Sequence, residues 1–135
     1  MHHLHFNALA ILVSALFQWF LGALWYSPAL FSKPWRAMVE IRPDAKKQSL
    51  MVGMIASFVG SLILSFMLVH VVIWAKADTL AHGAFVGLIA WIGFIAAPLA
   101  PSYIYEGRPF KLFAINTGYW LIALLVSGGL LAVWQ

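Results

Sequence analysis

Four long apolar stretches take up most of the chain, and short segments carrying nearly all the charge separate them. The stretches run from Phe6 to Tyr26, Leu50 to Trp74, Thr79 to Tyr103 and Lys111 to Trp134. At a rise of about 1.5 Å per residue each is long enough to cross a hydrocarbon layer of about 30 Å as an α-helix. Backbone amides in such a layer have no water to bond to, so helices are the expected form. The pattern predicts an all-α integral membrane protein. Its four transmembrane helices form a compact bundle, and residues 1–135 make a single transmembrane domain.

Within the stretches, polar and small residues fall at helical spacing. In the second, Gly53, Ser57, Ser61 and Ser65 recur every four residues with Gly60 beside them, which predicts one small-residue face along most of the helix. Gly83 and Gly87 repeat the spacing in the third. Asn7, Ser14, Gln18 and Gly22 share a face of the first, and Asn116, Ala123 and Ser127 share one of the fourth. Faces of this kind let helix backbones approach closely where the hydrophobic effect gives no drive to associate. Gln18 lies near mid-membrane and must find a partner helix, a water or a ligand. Gln18, Ser57, Ser61, Ser65, Asn116 and Tyr119 are thus candidates either for a polar lumen or for interhelical contacts.

Between the first two stretches, the segment from Ser32 to Arg42 places Trp35, Met38, Val39 and Arg42 at helical spacing behind Pro34. It predicts a short interfacial helix, apolar side toward the membrane. Pro98 and Pro101 are expected to kink or end the third helix. Trp19 and Gly22 before Pro28 are weakly echoed by Trp91 and Gly93 before Pro98, a trace of an internal repeat.

Composition agrees with this picture. The chain has 135 residues, 64% hydrophobic and only 9% charged, far below the roughly one quarter charged of soluble domains. Its net charge of +4 is concentrated in the loops. Lys33, Arg36, Arg42, Lys46 and Lys47 lie between the first two stretches and Arg108 and Lys111 at the last connection, whereas Lys76 alone lies on the opposite side. The positive-inside tendency then places the first and third connections in the cytoplasm, with both termini outside, in the inner (plasma) membrane. The first stretch has no preceding Lys or Arg and no small-residue cleavage site, and is expected to be retained. Trp35, Arg36, Arg42, Lys46 and Lys47, and at the other connection Glu106, Arg108 and Lys111, are candidates for contact with anionic lipid or a small anion. Nucleic acid is not an expected partner, and a homo-oligomer is.

The sequence carries little recognisable chemistry. With no cysteine it has no disulfide or thiolate site. No phosphate-binding glycine loop, histidine–glutamate zinc helix, nucleophile elbow or intramembrane carboxylate is present, so an enzyme is the least supported class and no cofactor is expected. Histidines 2, 3, 5, 70 and 82 all map to the outer side. His70 and His82 flank a hairpin containing Asp78 and are the one candidate metal set, although ordinary polar caps account for them better.

The runs Leu24-Trp25-Tyr26-Ser27-Pro28, Lys33-Pro34-Trp35, Trp91-Ile92-Gly93-Phe94, Glu106-Gly107-Arg108-Pro109 and Ile115-Asn116-Thr117-Gly118-Tyr119-Trp120 together resemble the bacterial membrane-protein family catalogued as domain of unknown function 1761. The resemblance covers nearly the whole chain. It implies a small multipass membrane protein without an assigned activity, and the outer histidines are not part of its pattern. Two functions stay open: a conduit or transporter-like bundle for a small solute, and a non-transporting scaffold that binds lipid or a partner.

Overall fold

The computed structural model describes residues 7–39 and 47–135, and of residues 47–50 the backbone alone. Six α-helices form: α1 (Ala8–Trp25), α2 (Ser32–Met38), α3 (Lys47–Trp74), α4 (Leu80–Trp91), α5 (Ala97–Tyr105) and α6 (Phe110–Val133). A π-helical turn, Ile92–Ala96, joins α4 to α5 without a break. Four helical segments are long and apolar enough to cross a membrane: Ala8–Trp25, Met51–Trp74, Leu80–Tyr105 and Phe110–Val133. They match the four apolar stretches to within a few residues. The short α2 lies between the first two, where the basic connection predicts a helix.

Local chemistry explains the boundaries. The Asn7 side chain caps α1, accepting from the Leu9 and Ala10 amides at 3.1 and 3.2 Å. It therefore closes the helix end, and does not join the polar face expected to run from Asn7 to Gly22. Helices α3 and α5 end alike. Ala77 N–H returns to the Val72 carbonyl and Arg108 N–H to the Tyr103 carbonyl, each across a residue of positive φ. That residue is Gly107 after α5 and Lys76 after α3.

The two prolines do not end the third span. Ala97 N–H reaches back five residues to the Ile92 carbonyl, widening the helix just before Pro98. In a regular α-helix the Pro98 ring would crowd the Phe94 carbonyl and leave it without a donor. The wider turn accommodates that conflict, and α5 continues through Pro101 to Tyr105.

Helix α6 is the hub and packs against α1, α3 and α4. Half of its spanning window is buried (50%), against 22%, 22% and 17% for the other three spans. The closest approach is to α4. A Cβ on Gly83 would run into the Gly128 carbonyl, and one on Gly87 into the Leu124 carbonyl. The small pair in α4 thus meets backbone on α6 directly. The longer face on α3 behaves differently. Ser61 and Ser65 are buried, but Gly53, Ser57 and Gly60 are exposed, and a Cβ on either glycine would meet nothing within 4 Å. Only the second half of the expected α3 stripe packs within the bundle, and its first half borders an open space.

Candidate functional site

Where α3 leaves the bundle uncovered, a cleft of about 910 Å³ opens between α1, α3 and α6, with α2 at its outer end. Its volume falls in the roughly 300–1,000 Å³ range of small-molecule sites. Two unlike walls face each other. Helix α3 supplies a low wall of Gly53, Ser57, Gly60 and Ser61, and the other helices supply a largely aromatic one that includes Tyr26, Trp35, Tyr119 and Trp120. The rings brace one another edge-on, Tyr26 against Trp35 with centroids 5.4 Å apart and Tyr119 against Trp120 at 4.8 Å.

The polar groups of the aromatic wall form a chain. Tyr26 donates its hydroxyl to Asn116 Oδ1 at 2.8 Å, and Asn116 Nδ2 donates to the Tyr103 hydroxyl at 2.9 Å. The Arg108 guanidinium lies 3.8 Å from the centre of the Tyr103 ring, a cation–π contact at the start of the last connection. Arg108 also pairs with Glu106 at 2.6 Å, but both side chains are substantially exposed, and such pairs contribute about 0–1 kcal/mol. Tyr119 donates to the Gln18 carbonyl at 2.7 Å. Below the rim, Trp25 and Trp91 donate their indole N–H groups to the Ile115 and Thr117 carbonyls at 2.8 and 2.7 Å, fastening α1 and α4 to α6 at the same level.

One helical turn beyond Ser61 and two beyond Tyr119, the cleft gives way to a closed polar layer. Gln18 Nε2 lies 2.9 Å from Ser65 Oγ, 3.1 Å from Ser127 Oγ and 3.3 Å from Ser14 Oγ, and the Ser14 and Ser65 hydroxyls are 2.8 Å apart. All four side chains are fully buried. Gln18 Oε1 has no hydrogen-bond partner. The expected polar set is thus divided between two levels. Ser57, Ser61, Asn116 and Tyr119 border the cleft, and Gln18 and Ser65 lie in the layer beneath it. Ser57 spends its hydroxyl proton on the Gly53 carbonyl at 2.8 Å.

Of the expected anion or lipid contacts, Trp35 lines the cleft, and Arg36, Glu106, Arg108 and Lys111 are at the surface. Arg42, Lys46 and the Lys47 side chain lie outside the described residues. On the other side, His70 Nδ1 bonds with the Phe66 carbonyl at 2.7 Å, and its ring lies between Phe66 and Trp74. His82 borders an apolar groove of about 500 Å³ between α3 and α4, and Asp78 is exposed in the turn. Among the described residues no three His, Asp or Glu side chains converge as metal ligands do, so His70, His82 and Asp78 do not form the set that the hairpin spacing suggests.

Sequence reasoning placed Ser14 and Ser127 on helix faces without joining them to Gln18, and did not place Tyr26 or Tyr103 in a candidate site. Tyr26 and Trp120 belong to two of the runs that carry the family resemblance, and these runs meet at the cleft. A model of the family described as "Protein of unknown function (DUF1761)" matches residues 9–132. The chain belongs to that family. The match spans all four long helices, so the cleft and the Gln18 layer both fall within the family's extent. No curated protein matches the chain, and no solved structure does.

Proposed function

We propose that the chain is a small multipass protein of the plasma membrane that binds a small solute in the cleft between α1, α3 and α6, entered from the side of the basic connections, which face the cytoplasm. The observation that supports this is the contrast between the two polar levels. In the inner level Gln18 Nε2 and three serine hydroxyls bond one another in a fully buried layer, with Gln18 Oε1 left without a partner. In the outer level Asn116, Ser61 and Tyr119 border about 910 Å³ of open space. Polar side chains kept at membrane depth without a helix packed over them mark a ligand or solute path by default. The closed layer makes the site one-sided. Transport of the solute would require Gln18 to release α3 or α6, so a conduit is the form of this function in which that layer opens.

The absence of cysteine permits a direct test. Ala23→Cys and Ser57→Cys, both on the cleft, are expected to react with a membrane-impermeant maleimide in inside-out vesicles and not in intact cells. Ser127→Cys, in the closed layer, is expected to react in neither. Unreactive cleft cysteines would remove the site, and a reactive Ser127→Cys would make it a continuous path. A second function is favoured by the bare first half of α3, whose Gly53, Ser57 and Gly60 offer a close-packing face to another helix. In that case Ser57→Cys forms disulfide-linked dimers in the membrane and stays closed to the maleimide, as a scaffold assembled from copies of this chain requires.

A further inference from the structure

Three features of the cleft restrict what it can hold. The first is charge. Among the described residues, no Asp, Glu, Lys, Arg or His borders it. A charged group placed against these residues would lose its hydration without gaining a counter-ion from them. The second is shape. The α3 wall is built of glycine, alanine and serine with Met54 as its large side chain, a Cβ on Gly53 or Gly60 would meet nothing within 4 Å, and the opposite wall is a surface of braced rings. A low wall facing an aromatic one makes a slot, which suits a flat ligand that can stack.

The third is the balance of donors and acceptors. The Tyr26, Tyr119 and Ser57 protons are committed to Asn116, the Gln18 carbonyl and the Gly53 carbonyl. Three other indoles, those of Trp19, Trp25 and Trp91, each donate to a backbone carbonyl. The indole N–H groups of Trp35 and Trp120, both on the cleft, meet no acceptor among the described residues. Asn116 uses one of its two N–H bonds on Tyr103 and keeps the other. An indole N–H can only donate. The residues that line the cleft therefore carry N–H groups without an acceptor, and a ligand that brings acceptors can use them.

The geometry points to an uncharged, planar ligand bearing carbonyl oxygens, of the quinone type, lying in the slot with its carbonyls toward the Trp35, Trp120 and Asn116 N–H groups and its apolar tail toward lipid. This assignment rests on the cleft proposed above and adds the chemical class of its occupant. An ester or amide carbonyl shares the acceptor chemistry, but it lacks the flat ring that the facing walls favour.

The test uses the full chain, purified in detergent and titrated with three probes of equal tail length: a decyl-substituted benzoquinone, decylbenzene and decyl phosphate. Binding is read by native mass spectrometry. The quinone is expected to bind one per chain and more tightly than either other probe. Trp120→Phe and Trp35→Phe keep a ring and remove the N–H, and each is expected to weaken quinone binding by about tenfold, the effect of one lost hydrogen bond in a dry site. Decylbenzene binding should not change in either variant. Quinone binding no tighter than decylbenzene, or insensitive to both variants, would overturn the carbonyl assignment. Preference for decyl phosphate would overturn the uncharged one. If no probe binds, the maleimide experiment separates the causes: reactive cleft cysteines leave the site standing with the wrong ligand class, and unreactive ones remove both.

Discussion

Gln18 brings an amide into the middle of the bundle, and only one of its two polar atoms finds partners there. Turning the amide over exchanges the atoms without curing the deficit, because the serine oxygens all lie on one side. Its contribution therefore combines two N–H donors shared among three serine oxygens, each bond worth about 0.6 kcal/mol on average between membrane helices, with the cost of one orphaned atom of about 1–3 kcal/mol. These terms nearly cancel, and what remains is the volume the side chain fills. Gln18→Leu is accordingly expected to stay within about 1 kcal/mol of the parent, while Gln18→Ala, which leaves a void, should lose about 2–4 kcal/mol. Thermal unfolding in detergent compares them, and equal losses would mean that the hydrogen bonds carry the layer. At the end of α3, Lys76 holds φ at 56°, a conformation that favours glycine. Lys76→Gly should raise stability by about 0.5–1 kcal/mol in the same assay, whereas Gly107→Lys at the matching turn should lower it.

Between elements, the decisive contacts are backbone against backbone. Gly83 and Gly87 bring α4 onto α6 so closely that a single methyl group has no place. Gly87→Ala is expected to cost about 1–3 kcal/mol by overpacking. Gly60→Ala, where a Cβ meets nothing, should be neutral or gain up to about 1 kcal/mol of helix propensity. If both glycines respond alike, the α4–α6 seam is looser than the geometry requires. The π turn at Ile92–Ala96 belongs to the same scale. It lets one helix carry Trp91 against α6 before the prolines and Tyr103 against Asn116 after them. The two halves of the weak sequence repeat diverge here. Trp19 donates to α3 and Trp91 to α6, so the likeness is one of composition and not of role.

For the whole molecule, the cleft and the basic connections share one end. Tyr26, Trp35 and Asn116 at the cleft lie at the end of the bundle that holds α2, with Lys33 and Arg36, and the last turn, with Arg108. The proposed orientation, drawn from charge asymmetry, puts that end in the cytoplasm. Alkaline phosphatase fused after Gln135 is therefore expected to be active, and fusions after Val39 or Arg108 inactive. The reverse pattern would turn the site outward and exchange the vesicle and cell results for the cleft cysteines.

Hydropathy is a local property, and the four spans, the short interfacial helix and the small faces on α4 and α6 follow from it at the level of sequence. So does membership of the family, because its runs of residues are written along the chain. The sequence also shows that Gln18 needs a partner, since a buried amide in hydrocarbon has few options. It does not say which. Whether Ser57 packs or borders open space, whether Asn7 joins a polar face or caps α1, and whether His70, His82 and Asp78 meet all depend on how far each helix leans from its neighbours. That lean is set by the glycine contacts between α4 and α6 and by the tryptophan bonds to α6, which join residues far apart in the chain. The cleft exists because α3 is held at Ser65 and not at Gly53, and only the tertiary structure decides where along an evenly spaced stripe the packing stops.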